Sequence, residues 1–180
     1  RSSGGMTLSG GESLCQPDFC EALLRGAKEA GLTTAMESMA CADYSVIERM
    51  LPYLDQYLLD IKHTDPLKHK AFTGRSNELM MENARKVAQS GMTELLIRVP
   101  VIPTFNATEA EIESIAKFAA TLPGVRKLHL LPYHRLGQDK YEGLGREYEM
   151  KDILPPKAEE MEKLLRAAER VSGLDCQIGG

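Results

Sequence analysis

The chain has 180 residues, a formal net charge of −4 and 43% hydrophobic residues, which is typical of a folded domain. This composition excludes a disordered, collagen-like or coiled-coil chain, and its mild acidity argues against a dedicated nucleic-acid-binding protein. The apolar stretches fall short of the roughly 20 residues that span a bilayer, and four scattered cysteines indicate a reducing compartment. We therefore expect one cytoplasmic domain over residues 1–180, with neither nucleic acid nor membrane as a partner.

Short apolar runs alternate along the chain with longer segments of helical period. Thr108 and Glu111 predict a capping box, and Asp65 followed by Pro66 predicts the start of a short extra helix. The apolar runs predict strands at residues 6–9, 33–37, 57–61, 95–99 and 127–131. The periodic segments predict helices near residues 18–30, 45–52, 77–90, 109–121 and 156–172.

This alternation predicts an α/β fold with a parallel sheet. Each strand–helix unit averages roughly 35 residues, as expected for right-handed crossover units. A closed eight-stranded barrel takes about 250 residues, so the chain forms either an open α/β sheet or a partial (β/α) barrel. The strands are rich in Leu, Ile and Val, which predicts that helices cover both of their faces.

Polar or ionisable residues close or follow every predicted strand. The carboxyl ends of parallel strands meet at one edge of a sheet, so we expect these residues to form one site. Glycines let a ligand approach the backbone, carboxylates can receive an ammonium group or ribose hydroxyls, and a lysine can bind a carboxylate. No glycine-rich phosphate-binding motif is present, so a zwitterionic, ribose-bearing ligand fits better than a polyphosphate. The candidate residues are Gly10, Gly11, Glu12, Glu37, Asp60, Lys62, Arg98 and His134.

The sequence SGGESL at residues 9–14 resembles the SGGEPL segment of glycyl-radical-enzyme activating enzymes. These are radical S-adenosylmethionine (SAM) enzymes, typified by pyruvate formate-lyase activating enzyme. The resemblance continues in order to the C-terminus and is most specific in LLPYHRLG at residues 130–137. Further matching segments are LLDIKH at 58–63, TGRSN at 73–77, IRVPVIP at 97–103, KY at 140–141, LG at 144–145 and QIGG at 177–180.

The resemblance implies a partial barrel that holds a [4Fe–4S] cluster and SAM. In this family a 5′-deoxyadenosyl radical takes a hydrogen atom from a glycine of a partner such as pyruvate formate-lyase, and flavodoxin or ferredoxin donates electrons. The implied roles are methionine amino-group binding by Gly10, Gly11 and Glu12, a ribose contact for Glu37, cofactor contacts for Asp60 and Lys62, a ribose or adenine contact for His134, and a place at the barrel mouth for Arg98.

The family's cluster motif, Cys-x-x-x-Cys-x-x-Cys, does not occur here. The cysteines are Cys15, Cys20, Cys41 and Cys176, and we expect the first two to be small buried side chains. The chain is therefore expected to correspond to family strands two to six plus the C-terminal helix, without the first strand–helix unit and its metal ligands. We expect it to be inactive in isolation and to cover its first strand with a second copy, as a homodimer, or with its N-terminal residues.

Two smaller departures affect the expected pocket, and two alternatives stay open. Ser13 stands where the family usually has proline, and residues 38–40 read Ser-Met-Ala where relatives usually carry Thr or Ser, then a small residue, then glycine. One alternative is an activating enzyme for another glycyl radical enzyme. The other is a natural cluster-free paralogue that binds the partner without chemistry. The DNA upstream of Arg1 would distinguish this paralogue from an activating-enzyme core shortened by gene annotation.

Overall fold

A computed structural model describes residues 4–135, 141, 143–148 and 150–180, so the motif residues at 136–140 lie outside the described part. The strands are β1 (Gly5–Leu8), β2 (Thr33–Ser38), β3 (Gln56–Asp60), β4 (Glu94–Val101), β5 (Lys127–Pro132) and β6 (Asp175–Ile178). The helices are α1 (Pro17–Glu29), α2 (Tyr44–Met50), α3 (Pro66–Thr73), α4 (Glu78–Ser90), α5 (Glu109–Ala120) and α6 (Ala158–Ser172), with 3₁₀ turns at Ser13–Cys15 and Leu51–Tyr53. The five predicted strands, the five predicted helices and the extra helix at Pro66 are confirmed to within a few residues.

The strands form one parallel sheet in the order β1-β2-β3-β4-β5-β6. Right-handed crossovers between neighbours that follow each other in sequence place the connecting helices on the same face of the sheet. A doubly wound sheet would instead reverse its strand order at a switch point. The strand order therefore favours the partial barrel over a doubly wound open sheet.

The two faces of the sheet differ in chemistry. Met36, Tyr57 and Ile97 are fully buried in the core on the face that packs against the helices. Asp60 and Arg98 are register partners on the opposite face, where side chains stay partly exposed. The prediction that helices cover both faces is wrong here, because the second face lines the concave side of the partial barrel.

The sixth strand, β6, was not predicted from the sequence. Its four residues, DCQI, contain no apolar run, and three of them are exposed. It pairs with β5 and forms one edge of the sheet, while β1 forms the other. No helix in the described ranges is long and apolar enough to cross a bilayer.

Candidate functional site

Arg98 occupies the centre of a polar network at the carboxyl edge of the sheet. Its Nε donates a hydrogen bond of 2.9 Å to Asp60 Oδ1, and its Nη1 donates one of 2.7 Å to Glu37 Oε1. The hydroxyl of Ser9 donates to the other oxygen of Glu37, Oε2, at 2.6 Å. Side chains from β2, β3 and β4 and from the segment after β1 therefore meet here, as predicted for groups at strand ends.

Charge pairing favours the ionised forms of Glu37 and Arg98. Burial opposes ionisation of Glu37, but hydrogen bonds from Arg98 and Ser9 outweigh it, so the pKa of the Glu37 carboxyl lies below its ordinary value. Burial likewise acts against the charge of Arg98, and the two carboxylates overcome it and raise the pKa of the guanidinium. The side chain of Arg98 is only 13% exposed, so its pairs are shielded from water more than surface pairs are.

Lys62 extends the network into the loop after β3. Its Nζ lies 3.8 Å from Asp60 Oδ2, which is longer than a hydrogen bond, so the ammonium group keeps donors for another acceptor. Lys62 also borders a cleft of about 720 Å³ whose lining includes Phe72, Tyr141 and Tyr148. The structure thus brings Glu37, Asp60, Lys62 and Arg98 together, as the sequence predicts.

Glu12 holds its own loop against the loop after β2. Its Oε1 accepts hydrogen bonds from Leu14 N at 3.1 Å and Ser38 Oγ at 2.6 Å, and its Oε2 accepts one from Met39 N at 3.0 Å. These three partners satisfy much of the carboxylate's capacity. Glu12 therefore links the loop after β1 to the loop after β2. Its implied contact to a methionine amino group stays a prediction.

Gly10 and Gly11 present bare backbone to open space. No heavy atom outside their immediate neighbours lies within 4 Å of the position that a Cβ would take at either residue. Gly10 has φ +129°, a conformation that side chains rarely adopt. The pair therefore leaves room for a ligand to approach the backbone, which is the property that the sequence predicts for these glycines.

Two histidines lie near the end of the sheet, and the sequence analysis singled out one of them. His134 follows β5 and is exposed, and its proposed adenine or ribose contact stays a prediction. His129 was missed: it is the register partner of Arg98 on the concave face. Burial, reinforced by Lys127, lowers the pKa of His129. The available signal was a polar residue between the buried Leu128 and Leu130.

The cysteines do not fit an iron–sulfur cluster. Cys15 is exposed, which corrects the expectation that it is buried, whereas Cys20 is buried and its thiol donates to Ser13 O at 2.9 Å. Burial raises the pKa of Cys20, which disfavours the thiolate that binds iron. In the part of the chain that the structure describes, which includes all four cysteines, no three His, Cys, Asp or Glu side chains are grouped to hold a metal ion.

Comparison with known proteins finds one matching family and several similar activating enzymes. Residues 1–119 match the family described as the radical SAM superfamily. An indoleacetate decarboxylase activating enzyme from Tractidigestivibacter scatoligenes is 38% identical over 178 residues, which cover 99% of this chain and 56% of that protein. An isethionate sulfite-lyase activating enzyme from Nitratidesulfovibrio vulgaris is 46% identical over 154 residues, which cover 85% of this chain and 50% of that protein.

A solved structure resembles the fold along almost its whole length. It is a domain of pyruvate-formate lyase-activating enzyme from Bacteroides vulgatus, with a TM-score of 0.80 and 28% identity. The match covers 98% of this chain and 99% of that domain. The chain spans about half the length of the curated relatives it matches.

Proposed function

Since the chain belongs to the radical SAM superfamily and its relatives are activating enzymes of glycyl radical enzymes, we propose that it is the SAM-binding core of such an activating enzyme. The observation that carries the proposal is the network of Ser9, Glu37, Arg98, Asp60 and Lys62 at the carboxyl edge of the sheet. In parallel α/β folds this edge is where ligands bind.

The residues of this edge fit SAM, which carries an ammonium, a carboxylate, a sulfonium and a ribose. Glu37 and Asp60 are held in place by Arg98 and are only partly buried, so each keeps acceptor capacity for ribose hydroxyls or an ammonium. Lys62 keeps donors for the SAM carboxylate. Bare backbone at Gly10 and Gly11 gives the ligand a close approach. SAM would supply the radical that removes a hydrogen atom from the partner's glycine only after an electron from a [4Fe–4S] cluster cleaves its sulfonium bond, and the cysteines of this chain do not converge to hold such a cluster.

The [4Fe–4S] cluster that the family uses does not fit the cysteines of this chain, so none of its residues is assigned to bind one. The same finding favours a second candidate function, a paralogue that binds the partner without chemistry. Intact Glu37, Asp60, Lys62 and Arg98 favour the SAM-binding core, because a purely interacting protein has no need of charged groups inside the barrel.

We propose a glycyl radical enzyme as the partner. The relatives act in systems of indoleacetate decarboxylase and isethionate sulfite-lyase, and the solved neighbour belongs to a pyruvate formate-lyase system. Pyruvate formate-lyase is therefore one candidate among these three. A flavodoxin or ferredoxin as electron donor and a cytoplasmic location belong to the same proposal.

Calorimetric titration of the chain with SAM tests the proposed function. The wild type is expected to bind SAM, and Glu37→Gln is expected to weaken binding by at least about tenfold, because a hydrogen bond to a charged group contributes about 1.5–3 kcal/mol. Glu94→Gln is the matched control. Glu94 lies on the same face of the sheet at its amino-terminal edge, where it binds Lys127 and Gln56.

The control should bind SAM as the wild type does. A wild type that shows no heat of binding with SAM would contradict the proposal. Equal losses in the two variants would mean that SAM binds outside the concave carboxyl edge. Retained binding of a glycyl radical enzyme without any binding of SAM would instead support the paralogue.

A further inference from the structure

All three asparagines of the chain are buried, and each donates to backbone carbonyls of loops beside the candidate site. Asn77 is 2% exposed, and Asn83 and Asn106 are 0% exposed. Asn83 Nδ2 bonds to Ala40 O and Ala42 O, in the loop after β2. Asn77 and Asn106 act on the loop after β3. Asparagine is mostly an exposed residue, so complete burial of every one needs a reason.

Asn106 makes the most extensive of these contacts. Its Nδ2 donates to Lys62 O at 2.7 Å and to Pro100 O at 2.9 Å, and its Oδ1 accepts from Ile102 N at 2.7 Å. One side chain thereby fastens the loop after β3 to the loop after β4. Lys62 is 44 residues away in sequence, so the contact exists only in the folded chain.

The turn that carries Asn106 is itself docked on α3. Phe105 stacks on Phe72 of α3 with ring centroids 4.1 Å apart and planes 3° from parallel. The ring of His63, the residue after Lys62, lies 5.2 Å from that of Phe105. Asn77 Nδ2 donates to His63 O and fixes the next carbonyl of the same loop. The backbone on both sides of Lys62 is thus held from two directions.

We infer that Asn106 is a positioning residue for Lys62, and through it for ligand binding at the carboxyl edge of the sheet. Lys62 has a long, flexible side chain, and its pair with Asp60 is loose at 3.8 Å, so its backbone anchor determines where the ammonium group can reach. Groups that orient a binding residue hold it within a fraction of an ångström of its productive place. This inference rests on the proposed SAM-binding function.

The test compares Asn106→Asp with Thr34→Val in the whole chain. Aspartate keeps the shape and the acceptor for Ile102 N but loses both donors to Lys62 O and Pro100 O. Thr34 is a matched control: it is 2% exposed and its hydroxyl donates to Tyr53 O, at the amino-terminal end of β2. Both variants should lower the melting temperature, because both lose a buried hydrogen bond.

Two further readouts separate positioning from general stability. Asn106→Asp is expected to weaken SAM binding about tenfold, as the loss of groups that orient metal ligands does in other proteins. It should also speed hydrogen exchange of the peptide covering residues 61–65. Thr34→Val should leave both readouts at the wild-type level. If Asn106→Asp does not fold, Asn106→Ser, which retains one donor, is measured in the same way.

Wild-type SAM affinity in Asn106→Asp, or an equal loss of affinity in Thr34→Val, would overturn the inference. If the wild type itself binds no SAM, the proposed function fails while hydrogen exchange still decides about Asn106. If hydrogen exchange at residues 61–65 is then faster in Asn106→Asp but not in Thr34→Val, Asn106 fixes the backbone at Lys62. Unchanged exchange in Asn106→Asp would refute this.

Discussion

A single arginine decides the charge balance of the concave face. Arg98 contacts two carboxylates that come from neighbouring strands, and its removal would leave Glu37 and Asp60 facing each other with reduced access to water. Removing one partner of a buried ion pair costs more than the pair contributes, because the remaining charge is uncompensated. The network is therefore expected to be sensitive to this position above all others.

Arg98→Gln is expected to lower the free energy of unfolding by about 2–3 kcal/mol at pH 7, somewhat less than for a fully buried pair. Without Arg98, burial dominates at Glu37 and its pKa rises, so the protonated form is favoured in the folded state. The difference in free energy of unfolding between the wild type and Arg98→Gln should then shrink as pH falls from 7 to 5. Urea unfolding at several pH values measures this.

The matched control is Arg49→Gln. Arg49 also contacts two carboxylates, those of Asp18 and Glu21, but on an exposed surface. It should change stability much less, because exposed pairs contribute little. A deficit of Arg98→Gln that stays constant with pH would show that Glu37 keeps its low pKa without the guanidinium.

Glu111 is a second residue whose charge is structurally important. Hydrogen bonds from Lys68 and Thr108 outweigh burial and lower its pKa to about 2, from an ordinary value of 4.5. Its Oε1 also lies 3.4 Å from His63 Nε2. The predicted capping box is confirmed in part: Thr108 caps α5, but the carboxylate of Glu111 also reaches across to α3.

Because its pKa is depressed on folding, Glu111 should stabilise the fold fully above pH 4.5 and lose this effect as pH falls towards 2. Glu111→Gln is expected to cost about 1–2 kcal/mol at pH 7, after allowance for the exposed Lys68. The difference in free energy of unfolding between the wild type and Glu111→Gln should narrow between pH 5 and pH 3 in urea titrations. Glu82→Gln, which removes an exposed pair with Lys86, serves as the control: Lys86 also lowers the pKa of Glu82, but solvent screens this pair, so the narrowing should be much smaller.

At the scale of elements, local sequence signals set most helix and strand boundaries. Asp65 accepts from Leu67 N and Lys68 N at the start of α3, and Gly91 ends α4 with φ +62°. These signals depend only on neighbours in the chain, which is why the sequence reveals them. The edge strand β6 has no such signal and forms because β5 offers an unpaired edge.

The loop between β2 and α2 contains the one positive-φ residue other than glycine in the described chain, Ala40 at φ +58°. The resemblance described above implies glycine at this place, a residue that suits the left-handed backbone. Asn83 holds the Ala40 carbonyl, and Ser38 Oγ accepts from Ala40 N at 3.0 Å. Tertiary hydrogen bonds therefore maintain a conformation that alanine by itself disfavours by about 1–2 kcal/mol.

Ala40→Gly is expected to change stability by less than about 1 kcal/mol, because relief of the strained backbone offsets the loss of a buried methyl and a more flexible unfolded chain. Ala40→Val should cost more than about 2 kcal/mol, since a β-branched residue suits neither the left-handed backbone nor the packed site. Thermal unfolding of both variants checks this. Equal stabilities of the valine and glycine variants would contradict the role of the backbone conformation.

At the scale of the whole molecule, the positions of the cysteines predict how much iron the chain can bind. Anaerobic reconstitution of this chain with iron and sulfide should leave only substoichiometric iron, because its cysteines do not converge. Iron analysis after gel filtration measures the content. About four iron atoms held stably per chain, the content of one [4Fe–4S] cluster, would contradict this expectation. The homodimer through the β1 edge stays a prediction.

The sequence by itself determined the α/β alternation, the helix caps and the placement of Glu37, Asp60 and Arg98 at strand ends, because these depend on local periodicity and neighbouring residues. Only the tertiary structure decided which groups meet. Arg98 and Glu37 are 61 residues apart, and Asn106 and Lys62 are 44 apart. Strand order and register bring such pairs together, and both are set by packing of the whole sheet. For the same reason β6 and the contacts of the buried asparagines became visible only in the fold.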